Sequence, residues 1–74
     1  MRIRSSQELG ALLRESRKAL KLTQPELALA AGVGVRFIVD LEAGKPTLRL
    51  EQVLRVIDAL GGMIDVRDLP SAHS

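Results

Sequence analysis

The sequence predicts an all-α domain of four short helices that ends in a single short β-strand. Three observations predict it. Apolar residues recur at helical spacing, as at Leu9, Leu12 and Leu13 and again at Leu50, Val53, Leu54 and Ile57. Ser5 and Thr23 each stand three residues before a glutamate, the pattern in which hydroxyl and carboxylate reciprocally satisfy free N–H groups at a helix start. After Gly61-Gly62 the period changes from helical to alternating, with Ile64, Val66 and, more weakly, Asp68 on one face.

Met1 to Arg4 are basic and tolerant of β structure, which suits a small strand or a loose arm. Ser5-Ser6-Gln7-Glu8 opens helix 1, whose face of Leu9, Leu12, Leu13, Ser16 and Leu20 carries it to about Leu20. Thr23-Gln24-Pro25-Glu26 opens helix 2, with Pro25 in the first turn, where an N–H would lack a partner anyway. Leu27, Ala30 and Ala31 give that helix a small apolar face, and Gly32 ends it near Ala31 by taking a left-handed conformation. Helix 3 covers about Val35 to Ala43, with Ile38 and Leu41 inward, and closes at Ala43-Gly44-Lys45-Pro46. Thr47 offers the next N-cap, and Leu50, Val53, Leu54, Ile57 and Leu60 make the stripe of helix 4.

The helical core therefore spans about residues 6–61, followed by a strand over about 63–69. A lone strand exposes unpaired N–H and C=O groups and needs a partner. Met1 to Arg4 could supply one inside the chain. The same strand of a second copy, antiparallel across a two-fold axis, could supply another, with Ile64 and Val66 facing the helices. Pro70 to Ser74 reads as a frayed tail.

Composition bounds the function. A chain of 74 residues is one domain near the lower limit for a self-sufficient core, and with one Phe and no Trp or Tyr that core must be aliphatic. The absence of cysteine excludes disulfides, thiolate metal sites and a cysteine nucleophile, and it suits a reducing cytoplasm. The apolar runs are too short for a transmembrane span or a secretory segment. The net charge is +2, unevenly spread: residues 1–49 hold nine Lys or Arg against five acids, and the remainder two against four. The basic part is the part that carries the two-helix turn pattern, which points to a polyanionic partner.

Helices 2 and 3 packed across the Gly32 turn make a helix-turn-helix, whose second helix can enter a DNA major groove. Leu22, Thr23, Gln24, Glu26, Leu27, Ala28, Ala31, Gly32 and Val33, then Ile38, Leu41, Glu42, Gly44 and Lys45, follow the pattern L-T-Q-x-E-L-A-x-x-A-G-V and x-I-x-x-L-E-x-G-K. Over about residues 9–61 the chain resembles the Xre/Cro-type (lambda repressor-like) helix-turn-helix family of phage repressors and bacterial regulators. The small size, the D-L-E-A-G-K-P-T turn and the strand after helix 4 are similar to the HipB-type antitoxins. Those dimerise partly through such a strand, repress their own operon and bind a HipA-like kinase toxin.

The resemblance implies roles by position. Gln24, at the positive end of helix 2, contacts a phosphate. Val35, Arg36 and Asp40 lie on the outward side of the recognition helix. Arg36 is suited to bidentate bonding with guanine O6 and N7, and Val35 to contact with a thymine methyl. Asp40 either accepts from a cytosine amine or orients Arg36, four residues earlier on the same helix. Lys45 and Thr47 reach backbone phosphates from the turn after helix 3. Gly34 and Val39 depart from the family, which commonly has polar residues there, often Ser, so helix 3 lacks a capping side chain and one polar contact; Gly34, at the start of helix 3, still counts among the DNA-contacting positions. Phe37, next to the core residue Ile38, could face either a DNA sugar edge or the protein, and packing against the protein is the preferred role. Arg17 and Glu42 form a partly buried ion pair tying helix 1 to helix 3, and Met63, Ile64, Asp65, Val66 and Arg67 make the dimer strand.

No catalytic constellation competes with this reading: the one histidine, His73, lies in the tail, and there is no Gly-rich phosphate loop or nucleophile elbow. The expectation is a non-enzymatic, cofactor-free and metal-free cytoplasmic protein of the bacterial nucleoid, a homodimeric repressor on double-stranded operator DNA. As an autoregulating antitoxin it would also have a HipA-like kinase as partner. The alternatives are a plain regulator of the same type without a toxin, and a module that neutralises a protein partner without binding DNA.

Overall fold

The computed structural model describes residues 2–70; Met1 and residues 71–74, including His73 and most of the expected tail, lie outside the described residues. Four helices follow in order: α1 (Ser6–Ala19), α2 (Gln24–Ala31), α3 (Val35–Glu42) and α4 (Leu50–Ala59). None is long and apolar enough to cross a membrane.

The helix starts follow local chemistry. Ser5 Oγ accepts from the Glu8 N–H at 3.1 Å, while the Glu8 carboxylate accepts from the Arg4 N–H at 3.1 Å, one residue before the cap. At α2 the reciprocal pair is complete: Thr23 Oγ1 accepts from the Glu26 N–H at 3.1 Å, and Glu26 Oε1 from the Thr23 N–H at 2.8 Å. α3 starts at Gly34 with no side-chain cap. α4 does not start at Thr47. Leu48 packs against the core, so the chain stays out of helix until Arg49, which caps with its backbone alone.

All four helices end in the same way. A residue with positive φ (Lys21, Gly32, Gly44 or Gly61) is followed by an N–H that bonds back five residues, from Leu22 to Arg17, Val33 to Ala28, Lys45 to Asp40 and Gly62 to Ile57, at 2.9–3.1 Å. Three of the four positions hold glycine; Lys21, at φ 59°, does not.

The core is Leu13, Leu27, Ala28, Ala31, Ile38, Leu41, Val53, Val56 and Ile57, with Leu27, Ile38 and Val56 fully buried. Some expected faces shift by a residue or a turn. Ala28, not Ala30, joins Leu27 and Ala31 inside, and α4 turns Val53, Val56 and Ile57 inward while Leu50 and Leu54 face solvent. Leu20, just past α1, is exposed as well. α1 passes so close to the end of α3 that a Cβ on Gly10 would lie 2.3 Å from the Leu41 carbonyl oxygen.

The expected strand does not form within the chain. Beyond Gly62 every described residue is exposed, and no strand is present among the described residues. Arg2 to Arg4 approach the same groove as Met63 to Asp65 but make no ladder with them, so the segment pairs with no edge among the described residues. Ile64 borders this groove between α1 and α4, whereas Val66 is exposed and does not line it.

Candidate nucleic-acid interface

α3 has one face for the core and one for solvent. Ile38 and Leu41 are buried, and Phe37 is half-buried against the core. Val35, Arg36 and Val39 are exposed on the opposite side, joined by Asp40 at its edge. Residues i, i+1, i+4 and i+5 form one stripe on a helix. Along the axis this stripe covers about 7.5 Å, a little over the rise of two base pairs. Val39, which the sequence pattern marks only as a departure from the family, also lies on this exposed face. Its spacing of four from Val35 is the signal that places it there.

Two clusters flank this face. In the first, Arg17 Nε donates to Glu42 Oε2 at 2.7 Å and Arg17 Nη2 to Glu42 Oε1 at 3.1 Å, while Arg17 Nη1 donates to the Leu22 carbonyl at 2.7 Å. The two side chains are only 10% and 4% exposed, so each charge depends on the other. The hydrogen bond to Glu42 raises the Arg17 pKa above its ordinary value, against the opposing effect of burial. Gln24, at the first turn of α2, joins the cluster by donating from Nε2 to Glu42 Oε1 at 3.1 Å. One of its amide hydrogens is thereby used, leaving the other and the carbonyl oxygen to face outward groups.

The second cluster centres on Asp40. Arg36 Nε lies 3.3 Å from Asp40 Oδ1, and Lys45 Nζ lies 3.7 Å from Asp40 Oδ2. Gly34 is exposed at the start of α3, where a side chain would meet nothing within 4 Å. Thr47 is exposed in the turn before α4 and joins neither cluster. Of the positions named for DNA contact, then, Gln24, Arg36, Asp40 and Lys45 are tied to α3 by side-chain contacts.

Met63, Ile64, Asp65, Val66 and Arg67 lie apart from these clusters. Met63, Ile64 and Asp65 border a groove of about 610 Å³ floored by Leu9, Leu12, Leu13, Ile57 and Leu60, and Arg67 pairs with Asp65 in solvent.

The comparisons with known proteins agree with this geometry. Residues 8–69 match the family model described as a helix-turn-helix domain. The chain is 55% identical over 65 residues to an uncharacterised HTH-type transcriptional regulator, y4mF, of Sinorhizobium fredii (strain NBRC 101917 / NGR234), covering 88% of this chain and 86% of that protein. Among solved structures, HipB in complex with an O4 20mer superposes with a TM-score of 0.84 at 21% identity, over 95% of this chain and 99% of that one. HipB in a HipA-HipB-O2-O3 complex gives the same TM-score, identity and coverage. The chain belongs to the Xre-type helix-turn-helix family of DNA-binding transcriptional regulators, with a fold like that of HipB.

Proposed function

We propose that the protein is a homodimeric repressor that reads a two-fold-symmetric operator with α3 and serves as the autoregulating antitoxin of a HipBA-like operon in the cytoplasm. The exposed stripe of Val35, Arg36 and Val39 carries the reading, because it presents a guanidinium and two apolar contacts on a helix free to enter a major groove. Gln24 and Lys45 bracket it as phosphate contacts, with the Gln24 amide oriented by Glu42, and Thr47 adds a further phosphate contact from the turn. The whole chain acts as one domain, residues 63–69 serving as the dimerisation segment. Two such helices, about 34 Å apart in successive major grooves, cover the operator and exclude polymerase.

The solved HipB complexes with operator DNA, and with HipA, support this assignment. The 55%-identical relative is named only as an HTH-type transcriptional regulator, a description that fits both the antitoxin and the second reading, a regulator without a toxin. Gel-shift titration with the DNA upstream of the protein's own gene is the direct test. The expected result is a retarded complex that survives excess random duplex, and binding no tighter than to random duplex would refute sequence-specific repression. Co-purification with the product of the neighbouring gene, if that gene encodes a HipA-like kinase, distinguishes the antitoxin from the plain regulator.

A further inference from the structure

We propose that Asp40 is a specificity-determining positioning residue: its carboxylate withholds Arg36 from the phosphates of arbitrary duplex and presents it end-on to a guanine edge. This rests on α3 being the DNA-reading helix.

Each oxygen of the Asp40 carboxylate faces a different cation, Oδ1 at 3.3 Å from Arg36 Nε and Oδ2 at 3.7 Å from Lys45 Nζ. The Lys45 contact depends on the left-handed turn at Gly44 (φ 85°), which folds the chain back so that the Lys45 N–H donates to the Asp40 carbonyl at 3.0 Å. The carboxylate is the fixed member, since its side chain is 20% exposed whereas those of Arg36 and Lys45 are 85% and 51% exposed. The other acid of α3, Glu42, is already bound by Arg17. Asp40 is therefore the one α3 carboxylate that acts on the outward face.

Holding Nε leaves the two terminal nitrogens of Arg36 free, and these form the fork that donates to guanine O6 and N7. A guanine edge can take that fork while Nε stays with Asp40. A phosphate drawing Arg36 away must break an ion pair and approach a carboxylate. The same group thus tolerates the base contact and opposes the backbone contact, and specificity is the difference between the two.

The test is selection from a duplex library with a randomised core of about two helical turns, using the full chain as wild type, Asp40→Asn, Arg36→Ala and the double variant. Wild type should enrich a motif containing guanine. Asp40→Asn should bind random duplex roughly fivefold more tightly, with a salt dependence steeper by about 1 in log–log slope, and should lose preference at the guanine. In the Arg36→Ala background Asp40→Asn should leave the motif unchanged, because the effect on the base runs through Arg36.

The proposal is overturned if Asp40→Asn enriches the wild-type motif as strongly as before with unchanged affinity for random duplex. It is also overturned if Asp40→Asn alters the motif equally without Arg36, which would make Asp40 a base contact itself. A wild type that enriches no sequence removes the DNA-reading role of α3 and this inference together. Thermal melting of each variant, with Asp40→Ser as a second replacement, separates these outcomes from a folding defect.

Discussion

Gln24 Nε2 lies 3.1 Å from Glu42 Oε1, the same oxygen that accepts from Arg17 Nη2. The ion pair that ties α1 to α3 therefore also fixes the side chain at the start of α2. Structural support and the proposed phosphate contact share a single carboxylate.

Removing one member of this pair should cost more than removing both. Arg17→Ala leaves Glu42, with 4% of its side chain exposed, as a buried charge without its cation, and is expected to destabilise the protein by about 3–5 kcal/mol in urea unfolding. Replacing the two together, Arg17→Met with Glu42→Leu, should recover most of that loss because apolar groups need no counter-charge. The double variant should still bind DNA more weakly, since Gln24 has lost its acceptor. A loss below about 1 kcal/mol for Arg17→Ala would show that the pair is solvated in solution.

Backbone geometry gives two substitutions of opposite sign. Gly10→Ala would drive a Cβ to within 2.3 Å of the Leu41 carbonyl oxygen, and backbone cannot swing aside as a side chain can, so α1 and α3 must separate. The expected loss is roughly 2–4 kcal/mol. Lys21→Gly should raise stability by about 0.5–1 kcal/mol, because Lys21 holds the left-handed position that glycine takes at the other three helix ends. Chemical denaturation of both variants at constant pH checks the pair.

Glu26 gives a pH dependence of known sign. Its pKa is lowered from the ordinary 4.5, first by the hydrogen bond from the Thr23 N–H and then by the Thr23 side chain. A depressed carboxylate contributes stability that is present above its unfolded pKa and is lost as pH falls through the folded value. Glu26→Gln keeps an acceptor for the Thr23 N–H without a titrating charge. The stability difference between wild type and Glu26→Gln should therefore favour wild type near pH 7 and shrink below about pH 4. A difference that is flat across this range would remove Glu26 as the source.

The two helix starts at Ser5 and Thr23 were legible because their chemistry is local: donor, acceptor and spacing lie within four residues. The choice of buried face was not always legible. From Leu27 to Ala31 every residue is apolar, so periodicity does not distinguish Ala28 from Ala30. In α4, Leu50-Val53-Leu54-Ile57 and Val53-Val56-Ile57-Leu60 both satisfy helical spacing, and only contact with the rest of the core selects the second. The close crossing at Gly10 leaves no mark in a single sequence, because a glycine inside a helix reads first as a weak helix former. Lys45 meets Asp40 only through the turn at Gly44, a consequence of one backbone dihedral that helical spacing does not anticipate.

On the DNA side, Arg36→Ala should weaken operator binding by roughly 1–3 kcal/mol while barely changing affinity for random duplex, as expected of a base contact. Lys45→Ala should weaken both about equally and flatten the salt dependence, as expected of a phosphate contact. Fluorescence anisotropy over a range of salt concentrations distinguishes the two behaviours. Operator affinity unchanged in Arg36→Ala would transfer base reading to Val35 and Val39.

The dimer prediction turns on the segment that finds no strand partner among the described residues. Met63, Ile64, Val66 and Leu69 are 50–87% exposed, and the groove beside them is floored by Leu9, Leu12, Leu13, Ile57 and Leu60. An extended segment with free N–H and C=O groups is a template for a second strand. Antiparallel pairing with the same segment of a second copy would satisfy those groups and cover the apolar side chains together. Val66→Pro removes a ladder donor and should shift the protein toward monomer, with weaker operator binding as the second half-site contact is lost. Analytical ultracentrifugation of the chain truncated after Gly62 gives the sharper answer: a monomer is expected, and a tight dimer would move the interface from this segment to the helices.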